Sequence, residues 1–121
     1  LPDVGIELWQ RLRVHVRCAL FPQQPERVRW YVLVVHTLVR RRHLDPLHGY
    51  RRTVCTLLDS AHDETLPGLW RRVCADHVDG PLARLRPLLA ARDTVALSAL
   101  EAAAHRVRMV LDCCLRGADD E

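Results

Sequence analysis

Residues 26–43 read ERVRWYVLVVHTLVRRRH, and the choice between strand and helix for this stretch, Glu26 to His43, decides the fold. Val28, Trp30, Tyr31, Val32, Leu33, Val34 and Val35 make a run that is apolar on every side. Its β-branched content suits a buried strand. Its length of about 18 residues after Pro25 exceeds the usual strand, and its end in Arg40-Arg41-Arg42 suits the negative end of a helix dipole. The stretch therefore predicts a helix, and its all-round apolarity predicts that this second helix is the buried centre of the fold, with Trp30 and Tyr31 in the core.

Working outward, Leu12, Val14, Val16, Cys18 and Leu20 alternate with Arg13, His15 and Arg17 as a strand would, while Trp9, Leu12, Val16 and Ala19 or Leu20 form a competing helical face. Helical neighbours and the want of a partner strand decide for helix. On the other side, Asp45-Pro46 is an N-cap and first-turn pair followed by a face of Leu47, Tyr50, Val54, Leu57 or Leu58, and Ala61. A further helix is expected from about Leu66 to Val78, with Leu69, Trp70, Val73, Cys74 and His77 or Val78 inward and Asp79-Gly80-Pro81 as its break. Pro87 then allows one short or kinked helix built on Leu82, Leu85, Leu88 and Leu89. The strongest periodicity runs from Asp93 or Thr94 to Arg116, where Leu97, Leu100, Ala104, Val107, Leu111 and Cys114 keep a heptad stripe that Gly117 should stop, and where Arg108 and Asp112 can pair four residues apart.

The expected architecture is all-α: a compact bundle of five or six helices around a central hydrophobic helix, one domain over residues 1–121. Leu1 in place of an initiator methionine suggests a fragment of a longer protein. At 121 residues and 49% hydrophobic content the chain can bury a core without disulfides or metal. No run approaches the roughly 18 apolar residues of a membrane span, and no signal pattern opens the chain. All 18 basic residues are arginine, lysine and asparagine are absent, and Ile, Phe and Met occur once each, as expected of a GC-rich genome, viral or bacterial.

Cys55, His62, Cys74 and His77 are the candidate zinc set, two sulfurs and two nitrogens that could close a tetrahedron. Their spacing follows no zinc-finger pattern and both cysteines fall on apolar faces, so buried thiols without a metal or other cofactor are the expectation. The odd count of five cysteines, with no secretion signal, points to reduced thiols in an intracellular compartment, cytoplasm or nucleus. For catalysis the chain offers only Ser60, Ser98 and a Cys74/His77 dyad without a third member, and it has no Gly-rich phosphate loop, so an enzyme is not expected.

Charge is the most informative surface feature. Residues 1–58 hold ten Arg against four acids, and residues 59–121 hold eight Arg against eleven acids. The positive part concentrates in Arg40, Arg41 and Arg42, with Arg51 and Arg52 soon after. These five residues are the candidate binding face, for an acidic protein surface or for a second copy of the domain, in a non-enzymatic adaptor or assembly module. The alternative is an Arg-rich nucleic-acid-binding domain, with or without a stabilising zinc. A hydrophobic groove beside the central helix would favour the first reading, and a continuous basic face without apolar exposure would favour the second.

Overall fold

A computed structural model describes the backbone of residues 2–119 and the side chains of residues 3–113. Six helices follow one another: α1 (Pro2–Cys18), α2 (Glu26–Arg40), α3 (Pro46–His62), α4 (Gly68–Asp76), α5 (Asp79–Ala90) and α6 (Thr94–Asp119). No strand occurs among the described residues. The stretch that decided between sheet and bundle is helical from Glu26 to Arg40, and the alternating segment before it is helical in α1 up to Cys18, with Ala19 and Leu20 in the turn that ends the helix.

The core takes one face from each helix. Trp9, Leu12 and Val16 of α1 are buried, as are Val28, Tyr31, Val35 and Leu38 of α2. Tyr50, Val54, Leu57, Leu58 and Ala61 of α3, Trp70 and Cys74 of α4, Leu82, Leu85 and Leu89 of α5, and Ala104, Val107 and Leu111 of α6 complete it. The last stripe position, Cys114, lies outside the described side chains.

A central helix exists, but it is α3 and not α2. α3 packs against α1, α2, α4, α5 and α6, whereas α2 packs chiefly on α1 and α3. The reason lies in hydroxyl chemistry: Thr56 donates to the Arg52 carbonyl at 2.9 Å and Ser60 to the Thr56 carbonyl at 2.8 Å. Each hydroxyl is satisfied one turn back in its own helix, so a face that looks polar in sequence can be buried. On α2 the apolar excess faces solvent, and Trp30, expected in the core, is 44% exposed.

α1 and α2 run antiparallel, with Leu38 over Gly5 at one end and Arg27 beside His15 at the other. A Cβ at Gly49 would stand 2.8 Å from Leu44 Cδ2 and 3.2 Å from Val35 Cγ2, so glycine there permits the close approach of α2 and α3. α4 is tied back by Trp70 Nε1, which donates to the Val16 carbonyl at 2.9 Å, and by Arg71 Nε, which donates to the Ala61 carbonyl at 2.8 Å.

Three local expectations are corrected. Asp79-Gly80-Pro81 does not break the chain but forms the first turn of α5, where proline's missing N–H is no loss; His77 and Val78 alone separate α4 from α5. Arg108 pairs with Asp79 of α5 and Asp112 with Arg72 of α4, so each reaches a neighbouring helix and not the other. α6 continues past Gly117 to Asp119, since glycine at a helix end permits a stop without imposing one. Asp120 and Glu121 lie outside the described residues.

Candidate functional site

α2 ends in a Schellman turn. The backbone N–H of Arg42 donates to the Val39 carbonyl at 3.0 Å and that of His43 to the Leu38 carbonyl at 2.9 Å, with Arg42 left-handed at φ 60°. Backbone groups thus satisfy the terminal carbonyls, and the exposed side chains of Arg40, Arg41 and Arg42 are not needed to cap them. Arg41 and His43 line one end of a depression of about 420 Å³ between α1 and α2. Arg51 and Arg52 lie instead in a shallow depression of about 250 Å³ on α3, beside His48 and Cys55. The structure therefore does not gather the five candidate arginines into one feature: Arg41 lines the first depression, Arg51 and Arg52 the other, and Arg40 and Arg42 neither.

The sequence reading missed the apolar surface next to Arg41. Val4 and Leu8 of α1 face Leu33, Val34 and Thr37 of α2 across the first depression. A second, of about 590 Å³, continues along the same seam and shares Leu8, Leu33 and Val34 with it, ending at Phe21 and Trp30. Together they form one groove, from Val4 to His15 along α1, about 16 Å at 1.5 Å per residue. Its apolar lining is open to solvent: Val4 is 62%, Leu8 45%, Leu33 48% and Phe21 37% exposed. Arg11, Arg27 and Arg41 punctuate it, with His15 and His43, and no carboxylate lines either depression. The available signal was the surplus of apolar residues in α2 over what one buried face requires.

At the Phe21 end, Arg27 is held from several sides. Its guanidinium lies 3.8 Å from the centre of the Phe21 ring and 5.7 Å from that of Trp30. Its Nε donates to Gln24 Oε1 at 2.8 Å, and Nη1 donates to His15 Nδ1 at 3.0 Å. Arginine only donates, so His15 Nδ1 must accept and the ring is neutral. Burial, then the charges of Arg27 and Arg11, hold the His15 pKa below its ordinary value.

The ion pairs are unevenly placed. Arg17 meets Asp63 at 2.8 Å, Arg72 meets Asp76 at 3.3 Å and also Asp112, Arg86 meets Glu101 at 2.7 Å, and Arg108 meets Asp79. Five acids of the acidic half are thereby engaged. Of the ten arginines in residues 1–58, Arg17 alone is in an ion pair among the described residues. The positive excess of α1, α2 and the first turns of α3 is uncompensated from within.

The candidate zinc set does not assemble. Cys74 is fully buried in the core, where desolvation pushes its thiol up to about 12. His62 is exposed, Cys55 lines the depression on α3, and His77 Nδ1 lies 2.8 Å from the Val73 carbonyl. Among the described residues no three His, Cys, Asp or Glu are grouped to hold a metal. Of the scattered nucleophiles, Ser60 is spent on its own helix and Cys74 stays protonated at neutral pH. No described helix is long and apolar enough to cross a membrane.

No protein-family model, curated protein or solved structure matches this chain.

Proposed function

We propose that this domain is a non-enzymatic helical interaction module of a larger intracellular protein, and that its α1–α2 side captures an acidic protein partner. The observation that carries the reading is the one-sided ion pairing: nine arginines, among them Arg40, Arg41, Arg42, Arg51 and Arg52, have no carboxylate partner among the described residues, while five acids of the other half are engaged internally. Unpaired guanidinium groups favour planar, bidentate carboxylate recognition, and they speed encounter with an acidic surface. The internal use of Asp63, Asp76, Asp79, Glu101 and Asp112 leaves a second copy fewer acids with which to meet the basic face. The apolar groove argues against nucleic acid, whose phosphates gain nothing from exposed Leu8 and Leu33.

The test is a selection of random 16-residue peptides on the immobilised domain, with mixed-sequence duplex DNA as competitor and the Arg40→Glu, Arg41→Glu, Arg42→Glu variant as counter-selection. The expected result is enrichment in Asp and Glu, binding that weakens with salt and with the variant, and no displacement by DNA. Peptides without acidic bias, or tight DNA binding abolished by the variant, would replace this reading with apolar docking or with nucleic-acid binding respectively.

A further inference from the structure

We infer that the occupant of the α1/α2 groove is an amphipathic helix of about three turns from another protein, with an apolar stripe edged by carboxylates. The inference rests on the acidic-partner reading and adds the place of docking and the shape of the ligand.

Length is set by the seam: about 16 Å between Val4 and His15 accommodates about 11 helical residues at 1.5 Å each. The groove's walls are themselves two helices, and side chains on a third helix can interdigitate between their rows, as in helix-in-groove recognition. The floor and walls ask for apolar side chains at every third or fourth position of the ligand, because Leu8, Leu33, Val34 and Trp30 are available over that length. Chemistry at the edges is set by Arg41 at one end, Arg11 along the α1 wall and Arg27 at the other end, with no acid among the lining residues. A neutral or basic helix would leave these three charges partly desolvated and unpaired, whereas carboxylates near both ends of the stripe pair with them. Arg27 is the pre-organised member, since Phe21, Gln24 and His15 hold its guanidinium in place before the partner arrives. Another copy of this chain fits less well: Glu101 and Asp112, the acids of α6 among the described side chains, are engaged within the fold.

The experiment uses the full chain and two synthetic 14-residue peptides with one leucine stripe, flanked by glutamates in one and by lysines in the other. Trp30 is the exposed one of the three tryptophans, Trp9 and Trp70 being buried, so its emission reports on the groove. The glutamate peptide should shift that emission to the blue and bind at least about tenfold more tightly than the lysine peptide. Leu33→Glu, at a half-exposed position, should abolish binding, and Arg11→Glu with Arg41→Glu should reverse the preference. Unchanged melting of these surface variants separates lost docking from lost fold. Equal binding of both peptides overturns the acidic ligand and leaves an apolar docking groove. Glutamate-peptide binding that Leu33→Glu does not touch overturns the groove and leaves the acidic partner. Binding of neither overturns this inference, and the peptide selection then decides whether the broader reading survives.

Discussion

Two residues carry backbone conformations that their side chains oppose. Ala19 and Arg42 have φ of 48° and 60°, and each closes a Schellman turn, Leu20 donating to the His15 carbonyl as His43 does to that of Leu38. Left-handed geometry strains an L-residue by roughly 1–2 kcal/mol and glycine hardly at all. Ala19→Gly and Arg42→Gly should therefore each raise stability, by about 1 kcal/mol after glycine's larger unfolded-state entropy, in urea denaturation. Neither turn was legible, because Gly or Asn, the residues that announce such a cap, are missing at both. Asp45 is the contrasting case: its carboxylate accepts from the His48 N–H at 3.0 Å, where the Asp-Pro pair placed the helix start. At this scale the pH response is also set. His36 Nδ1 lies 3.0 Å from the Tyr50 hydroxyl, and burial followed by the Arg84 charge lowers its pKa, as burial and arginines lower that of His15. Both rings bind protons more readily in the unfolded chain, so the stability they confer is complete above about pH 6.5 and is lost as pH falls through their lower folded values. Thermal melts between pH 7.5 and 5 should show this decline. His36→Asn, which keeps an acceptor that cannot titrate, should flatten it, and an unchanged slope would place the titration elsewhere.

Element by element, helix existence was readable and helix role was not. The stripes of α1, α3 and α6 placed Leu12, Val16, Val54, Leu57, Val107 and Leu111 inward, where they lie. The exchange of α2 and α3 as the central element has one cause seen from two sides. Hydrophobicity counts treat Thr53, Thr56 and Ser60 as surface and Trp30 and Leu33 as core, whereas the buried hydroxyls of Thr56 and Ser60 bond to their own helix and the apolar pair lines an open groove. A sequence contains no record of which apolar residues are surplus to packing until the neighbours are placed. Truncation measures the difference directly. Leu57→Ala, at a fully buried position on α3, should destabilise by about 2–5 kcal/mol. Leu33→Ala, half exposed on the apolar-rich α2, should lose about 1 kcal/mol or less while weakening peptide docking. Comparable losses at the two sites would mean that α2 carries the core after all.

For the whole molecule, the charge excess of the first half was legible but the division of the candidate arginines between the α1–α2 seam and α3 was not, because charge along a chain gives totals while placement and pairing depend on which helices meet. α6 is bound to its neighbours through Arg72–Asp112, Arg86–Glu101 and Arg108–Asp79, all at the surface, where water and salt screen such pairs and each contributes little. On the α1–α2 side unpaired arginines repel one another over distances that salt screens, with a Debye length of about 10 Å at 0.1 M. Added salt weakens the attraction in one half and the repulsion in the other, so their effects on folding oppose. From 50 to 500 mM NaCl the unfolding free energy should change by less than about 1 kcal/mol. Association has no such compensation, since every charge at the groove has the same sign and its partner the opposite one. Over the same range affinity for the glutamate-flanked peptide should fall at least about tenfold, chiefly through slower association. A fold that loses several kcal/mol in salt would make the ion pairs of α6 structural, and an affinity indifferent to salt would leave the apolar lining as the whole of the docking energy.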